Sequence, residues 1–262
     1  MAFQSETLAE TPPPVRVGRP DLSLVLPCYN EADVIRNTAT RLVYAFQAKA
    51  VDVELVLVDN GSMDETGQII DAMIAEGLPI VKQTVKVNQG YGNGVLWGLR
   101  ACRGRLVGFV CADGQVDAPD VVRVYEIAAQ SRTPKLVKVR RLFRMDGLTR
   151  KLVSIVYNFL ALLLFGGLGA IDLNGNPKIF PRDYLERMNL QSKDWFLDAE
   201  VMIKAKYLGL PVYELNVIAQ MREGGVSHVR WHTCLEFLMN LFRYRFGHEA
   251  ALDYPVPQTA ER

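Results

Sequence analysis

The run FVCADGQ, residues 109–115, passes from apolar residues into Cys111, Ala112, Asp113, Gly114 and Gln115. Asp113 and Gln115 stand two apart at the carboxyl end of an expected strand, so both can face one cation. Ligand phosphates and water would then complete an oxygen-rich shell of the kind that holds magnesium. Cys111 is a poor member of that shell, because a thiol is soft and a hard cation prefers oxygen. It reads as a small buried hydrophobe that finishes the strand.

Other clusters carry two readings each. Asp59, ahead of NGSMDET, either meets a base or ribose through its carboxylate or stabilises its own turn. Asp198 and Glu200, at the start of the helical stretch DAEVMIKAK, serve as a general base or donor-orienting pair, or simply place negative charge at a helix N-terminus. Between 135 and 151 stand Lys135, Lys138, Arg140, Arg141, Arg144, Arg150 and Lys151 against one acid, Asp146. This run abuts LVSIVYNFLALLLFGGLGAI, 152–171, which has no formal charge. A basic segment beside an interfacial apolar helix attracts anionic head groups, and arginine clamps phosphate with two parallel bonds, so a membrane-borne phosphate acceptor is expected there. The apolar stretch reaches spanning length, yet three glycines interrupt it; an interfacial helix is preferred over a core or a spanning one.

The glycines of NQGYGNG, 88–94, do not make a dinucleotide fingerprint, since the sixth position counted from Gly90 is Val95. They predict a turn with close backbone approach to a helix start. With three histidines in the chain, a histidine metal cluster is not expected.

The elements that must position these residues follow from apolar patterning. LSLVLP (22–27) and VELVLVD (53–59) read as buried strands around a helix over 31–47, and TGQIIDAMIAEG as a helix with Ser62 or Asp64 placed to cap it. A strand near 79–84, a helix to about Arg103 and a strand over 105–111 follow. Then come a strand at 135–139, the apolar helix, a loop DLNGNP, strand KIF, a helix from Asp198, strand PVYELNV and a last amphipathic helix from Trp231. Alternation of this kind predicts an α/β fold, a mostly parallel sheet with helices on both faces and ligands at the carboxyl ends of its strands.

The 262 residues suit one large domain. Lysine plus arginine number 30 against 29 aspartate plus glutamate, so no global field points to nucleic acid. The cysteines at 28, 102, 111 and 234 share no close spacing, which disfavours a zinc site or disulfide framework and predicts a reducing cytosol. The first residues lack a basic region followed by an apolar one. The expected division is a disordered arm over 1–20, a catalytic domain over 21–230 that includes an acceptor loop and interface helix at 141–170, and a C-terminal amphipathic helix and tail over 231–262.

With LPCYNEADVI, LVLVDNGSMDET, NQGYGNGVLWGL and CADGQVDAPDVV in that order, the chain resembles the family 2 glycosyltransferases of the GT-A fold, a Rossmann-like nucleotide-diphospho-sugar transferase architecture. Within them it is most similar to the dolichyl-phosphate mannosyltransferase-like enzymes, which glycosylate a polyprenyl phosphate. The resemblance covers roughly residues 20–230. It implies that Pro27, Tyr29, Glu31 and Asp59 hold the nucleotide, with Asn88 and Gly90 beside them. It further implies that Asp113 and Gln115 bind Mg2+ or Mn2+ through the diphosphate, and that Arg140, Arg150, Ser154 and Arg222 grip the acceptor phosphate. This chain departs from the pattern at Cys111, where the family has an acid, at Asn60 within DNGS, in the loop DLNGN at 172–176, and at His228 after Ser227.

The expected activity is transfer, with inversion, from a GDP- or UDP-linked sugar to a polyprenyl phosphate of the dolichyl or undecaprenyl type. The expected setting is the inner face of the membrane, with peripheral attachment, no nucleic acid partner and room for a homo-oligomer. One rival is a transferase with a glycan or lipid hydroxyl as acceptor, which would need Asp198 or Glu200 as base. The other is a non-catalytic nucleotide-binding, membrane-associated homologue, for which Cys111 is the argument.

Overall fold

The computed structural model describes residues 18–142, 148–218 and 231–246. The first five elements are β1 (Leu22–Cys28), α1 (Ile35–Gln47), β2 (Val53–Asn60), α2 (Thr66–Ala75) and β3 (Ile80–Val85). They continue through α3 (Tyr91–Ala101), β4 (Leu106–Phe109), α4 (Ala118–Ala129), β5 (Leu136–Leu142) and α5 (Leu148–Phe165). The last are β6 (Lys178–Pro181), α6 (Arg182–Met188), α7 (Leu197–Tyr207), β7 (Val212–Ile218) and α8 (Trp231–Phe246). Residues 1–17 of the expected arm, together with Arg144 and Arg222, lie outside the described residues.

Seven strands form one sheet in the order β3-β2-β1-β4-β6-β5-β7, and β6 alone among them runs against its neighbours. Strand alternation explains why β1 and β2 read as unbroken apolar runs. Leu22, Leu24 and Leu26 with Leu55 and Leu57 join a cluster with α1, α2 and α4, whereas Val25, Val56 and Val58 join one with α3, α5 and α7. Both faces are therefore buried under helices.

The chain winds from β1 through β2 to β3 on one side, then returns to place β4 on the other flank of β1. Adjacent strand ends whose connections leave in opposite directions open a crevice, and here that switch point lies between the ends of β1 and β4. The fourth strand is shorter than expected. Val110 still donates to the Val25 carbonyl at 2.9 Å, but ladder pairing ends at Phe109 and Gly114 adopts a φ of +67°. Residues 111–115 thus leave the sheet as a loop over the crevice. Because β6 is antiparallel, its first residue, Lys178, pairs with Phe109 and is delivered to the same edge.

Helix α3 lies close on the sheet at Gly98, where a Cβ would stand 2.9 Å from Val58 Cγ2 and would also overlap Val25 Cγ1. Among the described residues no helix is long and apolar enough to cross a membrane. Gly98→Ala should lower unfolding free energy by about 1–2 kcal/mol, overpacking against Val25 outweighing the better helix propensity of alanine, as read by urea denaturation.

Candidate active site

A cavity of about 240 Å3 occupies the switch point. A single water needs roughly 10–15 Å3 on the same measure, so this is space for an organic ligand. Pro27, Cys28, Tyr29 and Glu31 line it from the end of β1, Asn60 from β2, and Asn88, Gly90 and Tyr91 from the turn into α3. Cys111, Ala112 and Asp113 come from the loop after β4, and Trp195 from the loop before α7.

The NGSMDET turn acts mainly as a brace for the first of these walls. Ser62 Oγ accepts from Asn30 N at 3.2 Å, Asn30 Oδ1 accepts from Met63 N at 2.8 Å, and Thr66 Oγ1 accepts from Glu31 N at 2.9 Å. Asp64 bridges Ala32 N and Thr66 N, so it, rather than Ser62, serves the start of α2. These bonds hold Asn30 at a φ of +55°, a left-handed geometry that asparagine tolerates.

Asp59 belongs to the brace and not to the cavity lining. Its Oδ1 accepts from Ser62 N at 3.0 Å and its Oδ2 faces Gly67, so in this structure the carboxylate stabilises its own turn. The next residue, Asn60, is part of the cavity lining. Asn60, 3% exposed, donates through Nδ2 to the Gly90 carbonyl at 3.0 Å, while its Oδ1 has no hydrogen-bond partner among the described residues. An unpaired buried acceptor is costly, and a ligand N–H or O–H would satisfy it.

Asp113 is 3% exposed, and its Oδ1 accepts from Gln115 N at 3.2 Å. The Gln115 side chain is not part of the cavity lining. Among the described residues no group of three or more His, Cys, Asp or Glu is arranged to hold a metal. One hard carboxylate beside an open cavity still fits an ion of the magnesium type, which is commonly bound by one or two carboxylates plus the phosphates of its substrate.

Behind the cavity lies a buried polar network. Lys178 is paired with Asp198 Oδ1 and donates to Asn176 Oδ1 at 3.2 Å, and Asn176 Nδ2 donates to Tyr91 Oη at 3.1 Å. Burial pushes the Asp198 carboxyl upward, against the opposing pull of Lys178 and Arg141. Burial would lower the Arg141 guanidinium, but its two bonds to Asp172 outweigh this and raise it. The same partner holds the Asp172 carboxyl far below the usual range despite burial. Lys138 is lowered to about 8 by burial and by Lys178, and it donates to Glu214 Oε1 at 2.9 Å.

Glu200 is not at the cavity. At 1% exposure it accepts from Gln191 N and Ser192 N and pairs with Lys204 at 2.6 Å, and so clamps the loop over 191–192. Its loop is pressed onto the head of α3. Asn93 N donates to the Lys193 carbonyl at 2.8 Å, and a Cβ on Gly90 would stand 2.5 Å from that oxygen, so the expected close approach at these glycines is present.

Of the residues expected to meet the acceptor, Arg140 is half-buried near the end of β5. Arg150 and Ser154 fall on the first turns of α5, and their side chains, like Arg222, lie outside the described set. The structure thus brings Pro27, Tyr29, Glu31, Asn88, Gly90 and Asp113 together, and adds Asn60, Tyr91 and Trp195. Asn176 and Lys178, which support Tyr91, carried no sequence signal beyond their place in the strand entry NPKIF.

The model of the family described as glycosyl transferase family 2 matches residues 23–187. The chain belongs to that family. It is similar to an undecaprenyl-phosphate 4-deoxy-4-formamido-L-arabinose transferase of Pseudomonas fluorescens, 32% identical over 109 residues that make up 41% of this chain and 32% of that one. A dolichyl-phosphate beta-glucosyltransferase of Trichomonas vaginalis is 27% identical over 209 residues, 75% of this chain and 64% of that protein. The family 2 chain therefore matches less than two thirds of the length of these curated relatives. Among solved structures it is similar to glucosyl-3-phosphoglycerate synthase of Mycobacterium tuberculosis bound to phosphoglyceric acid, with a TM-score of 0.67, 20% identity, and coverage of 86% of this chain and 80% of that one. The same enzyme bound to Mn2+, UDP and phosphoglyceric acid gives a TM-score of 0.63 at 20% identity, covering 87% and 79%. The fold is GT-A, with the mostly parallel sheet and two helical layers that the sequence predicts.

Glu200→Ala should cost about 3 kcal/mol in urea unfolding, because it strands buried Lys204 and two loop N–H groups. The double change Glu200→Leu with Lys204→Met should recover part of that loss by removing the stranded charge.

Proposed function

We propose that this family 2 glycosyltransferase moves a sugar from a GDP- or UDP-linked donor to a polyprenyl phosphate, with inversion, at the inner membrane face. The observation that carries the reading is Asp113, a buried carboxylate at the switch-point cavity, beside a second wall where Asn60 presents an acceptor that needs a donor. The nucleoside lies at the ends of β1 and β2, against Pro27, Tyr29, Glu31 and Asn60, with the diphosphate toward Asp113. The named activities of the curated relatives, on undecaprenyl and dolichyl phosphates, support a phosphate acceptor.

Asp113 would hold Mg2+ or Mn2+ together with the donor diphosphate, and the ion would supply offset for charge growing on the leaving group. An acceptor phosphate oxygen attacks the anomeric carbon, forming the new C–O bond as the bond to the diphosphate breaks. A phosphate monoester is largely ionised near neutral pH, so no side chain must remove a proton. This suits the arrangement of the two acids, since Asp198 is paired with Lys178 and Glu200 with Lys204. A hydroxyl acceptor would require one of them as base.

Support for a membrane-borne acceptor comes from the surface of α5 and α8. Phe159 and Leu163 on α5 are 59% and 70% exposed, Phe246 on α8 is 71% exposed, and Arg245 of α8 donates to the Leu164 carbonyl at 3.0 Å, tying the two helices together. Apolar side chains beside Arg243 and Arg245 suit an interface with anionic lipid. Arg140, Arg150, Ser154 and Arg222 are the proposed grip on the acceptor phosphate, with Gln115 supporting Asp113 through its backbone.

The test is turnover by the purified chain with Mn2+, polyprenyl phosphate in detergent and a panel of UDP- and GDP-linked sugars. Asp113→Ala should reduce turnover at least about 100-fold; wild-type turnover in that variant would remove Asp113 from the mechanism. Arg140→Ala should raise KM for the lipid phosphate about tenfold, the loss of one charge-assisted contact, and leave KM for the donor unchanged.

A further inference from the structure

Trp195 and Tyr91 lie face to face on the cavity wall, with ring centroids 4.4 Å apart and planes 8° from parallel. Their place along the sheet gives the pair a meaning. In the strand order β2-β1-β4-β6, Asn60 and Tyr29 stand at the first two ends and Asp113 follows β4. Tyr91 is bonded to Asn176, two residues ahead of β6. A linear ligand with its nucleoside at β2 and β1 and its diphosphate at Asp113 therefore brings its next group to the aromatic pair.

We propose that Trp195, stacked on Tyr91, is the residue that receives the sugar ring of the donor and so sets which sugars are accepted; this rests on the transferase reading given above. A pyranose or furanose shows C–H groups on one face and hydroxyls at its rim, and a flat aromatic plate takes the first kind of surface while leaving the rim to polar neighbours. The plate is held in advance of binding. Asp194, just before Trp195, accepts from Phe196 N at 2.8 Å and from Asn240 Nδ2 of α8 at 2.6 Å, while Glu200 holds the loop two and three residues further back. A ring fixed before the ligand arrives loses little freedom on binding, which is the condition for discriminating between similar rings. Tyr91 and Asn176 are positioning residues in this account: the Asn176 bond sets the tilt of the tyrosine ring, and that ring sets the plane of the indole.

The experiment compares affinities of the full chain, in Mn2+ buffer by titration calorimetry, for UDP, GDP and their sugar conjugates. The quantity read is the ratio of conjugate affinity to free nucleotide affinity for the preferred donor. Trp195→Ala should lower that ratio about tenfold, the size of one lost aromatic contact, with free nucleotide affinity within about twofold of wild type. Trp195→Phe, which keeps a ring, should retain most of it. An unchanged ratio in the alanine variant overturns the proposal, as does an equal loss for free nucleotide and conjugate, which would place the base on the indole. If the alanine variant does not fold, Trp195→Leu, with apolar bulk and no ring, carries the same comparison. A wild-type chain that binds none of these nucleotides sinks the transferase reading itself, and this proposal with it.

Discussion

The N–H of Asn93, at the head of α3, is taken by the carbonyl of Lys193, a residue a hundred positions later in the chain. Much of the cavity depends on this contact. A helix start offers several unpaired N–H groups and is a ready site for phosphate, yet here one of them is satisfied by protein. Residues 90 and 92 must lack side chains for it to happen, since a Cβ at either would overlap the carbonyls of residues 192–194. Glycine spacing that looks superficially like a phosphate loop is in this fold a seat for another loop. Seating that loop brings Trp195 against Tyr91 and turns an open strand edge into a walled cleft.

The charges packed behind that wall follow one rule. Lys138, Lys178 and Lys204 are all buried, and each has a carboxylate partner: Glu214, Asp198 and Glu200. Pairs of this kind add little net stability over apolar residues of similar size, because desolvation consumes most of the attraction. They are directional, however, and an apolar core is not. Asp198 fixes Lys178, Lys178 fixes Asn176, and Asn176 fixes the Tyr91 hydroxyl, so the orientation of a cavity residue is set from within the sheet.

The parts legible in the sequence were those whose physics is local. Strands β1 and β2 announced themselves because burial on both faces leaves no polar alternation, and the position of Asp113 followed from the apolar run ahead of it. The expected strand over 105–111 ran past the true ladder end because Val110 is apolar for packing in the core, while Cys111, apolar in sequence, is only partly buried and lines the cavity. Asp59 and Asn60 were separable only through strand alternation: Leu57 and Asp59 share one face of β2, Val58 and Asn60 the other, and the residue presented to α3 and Gly90 is the asparagine. The roles of Glu200 and Lys178 were not legible, because a lone charged residue reads as solvent-facing or catalytic until its buried partner is known. Helices α4 and α6, absent from the expected elements, carry no residue of the cavity lining.

Strand β6 enters the sheet backwards between β4 and β5. Its incoming end, not its outgoing one, meets the cleft, so the long excursion through α5 and the DLNGN loop is anchored at the site where it finishes. Segments tethered in this manner can lengthen, shorten or change chemistry during evolution while the six co-directed strands keep their register. A common scaffold for donor handling can in that way be joined to many different recipients.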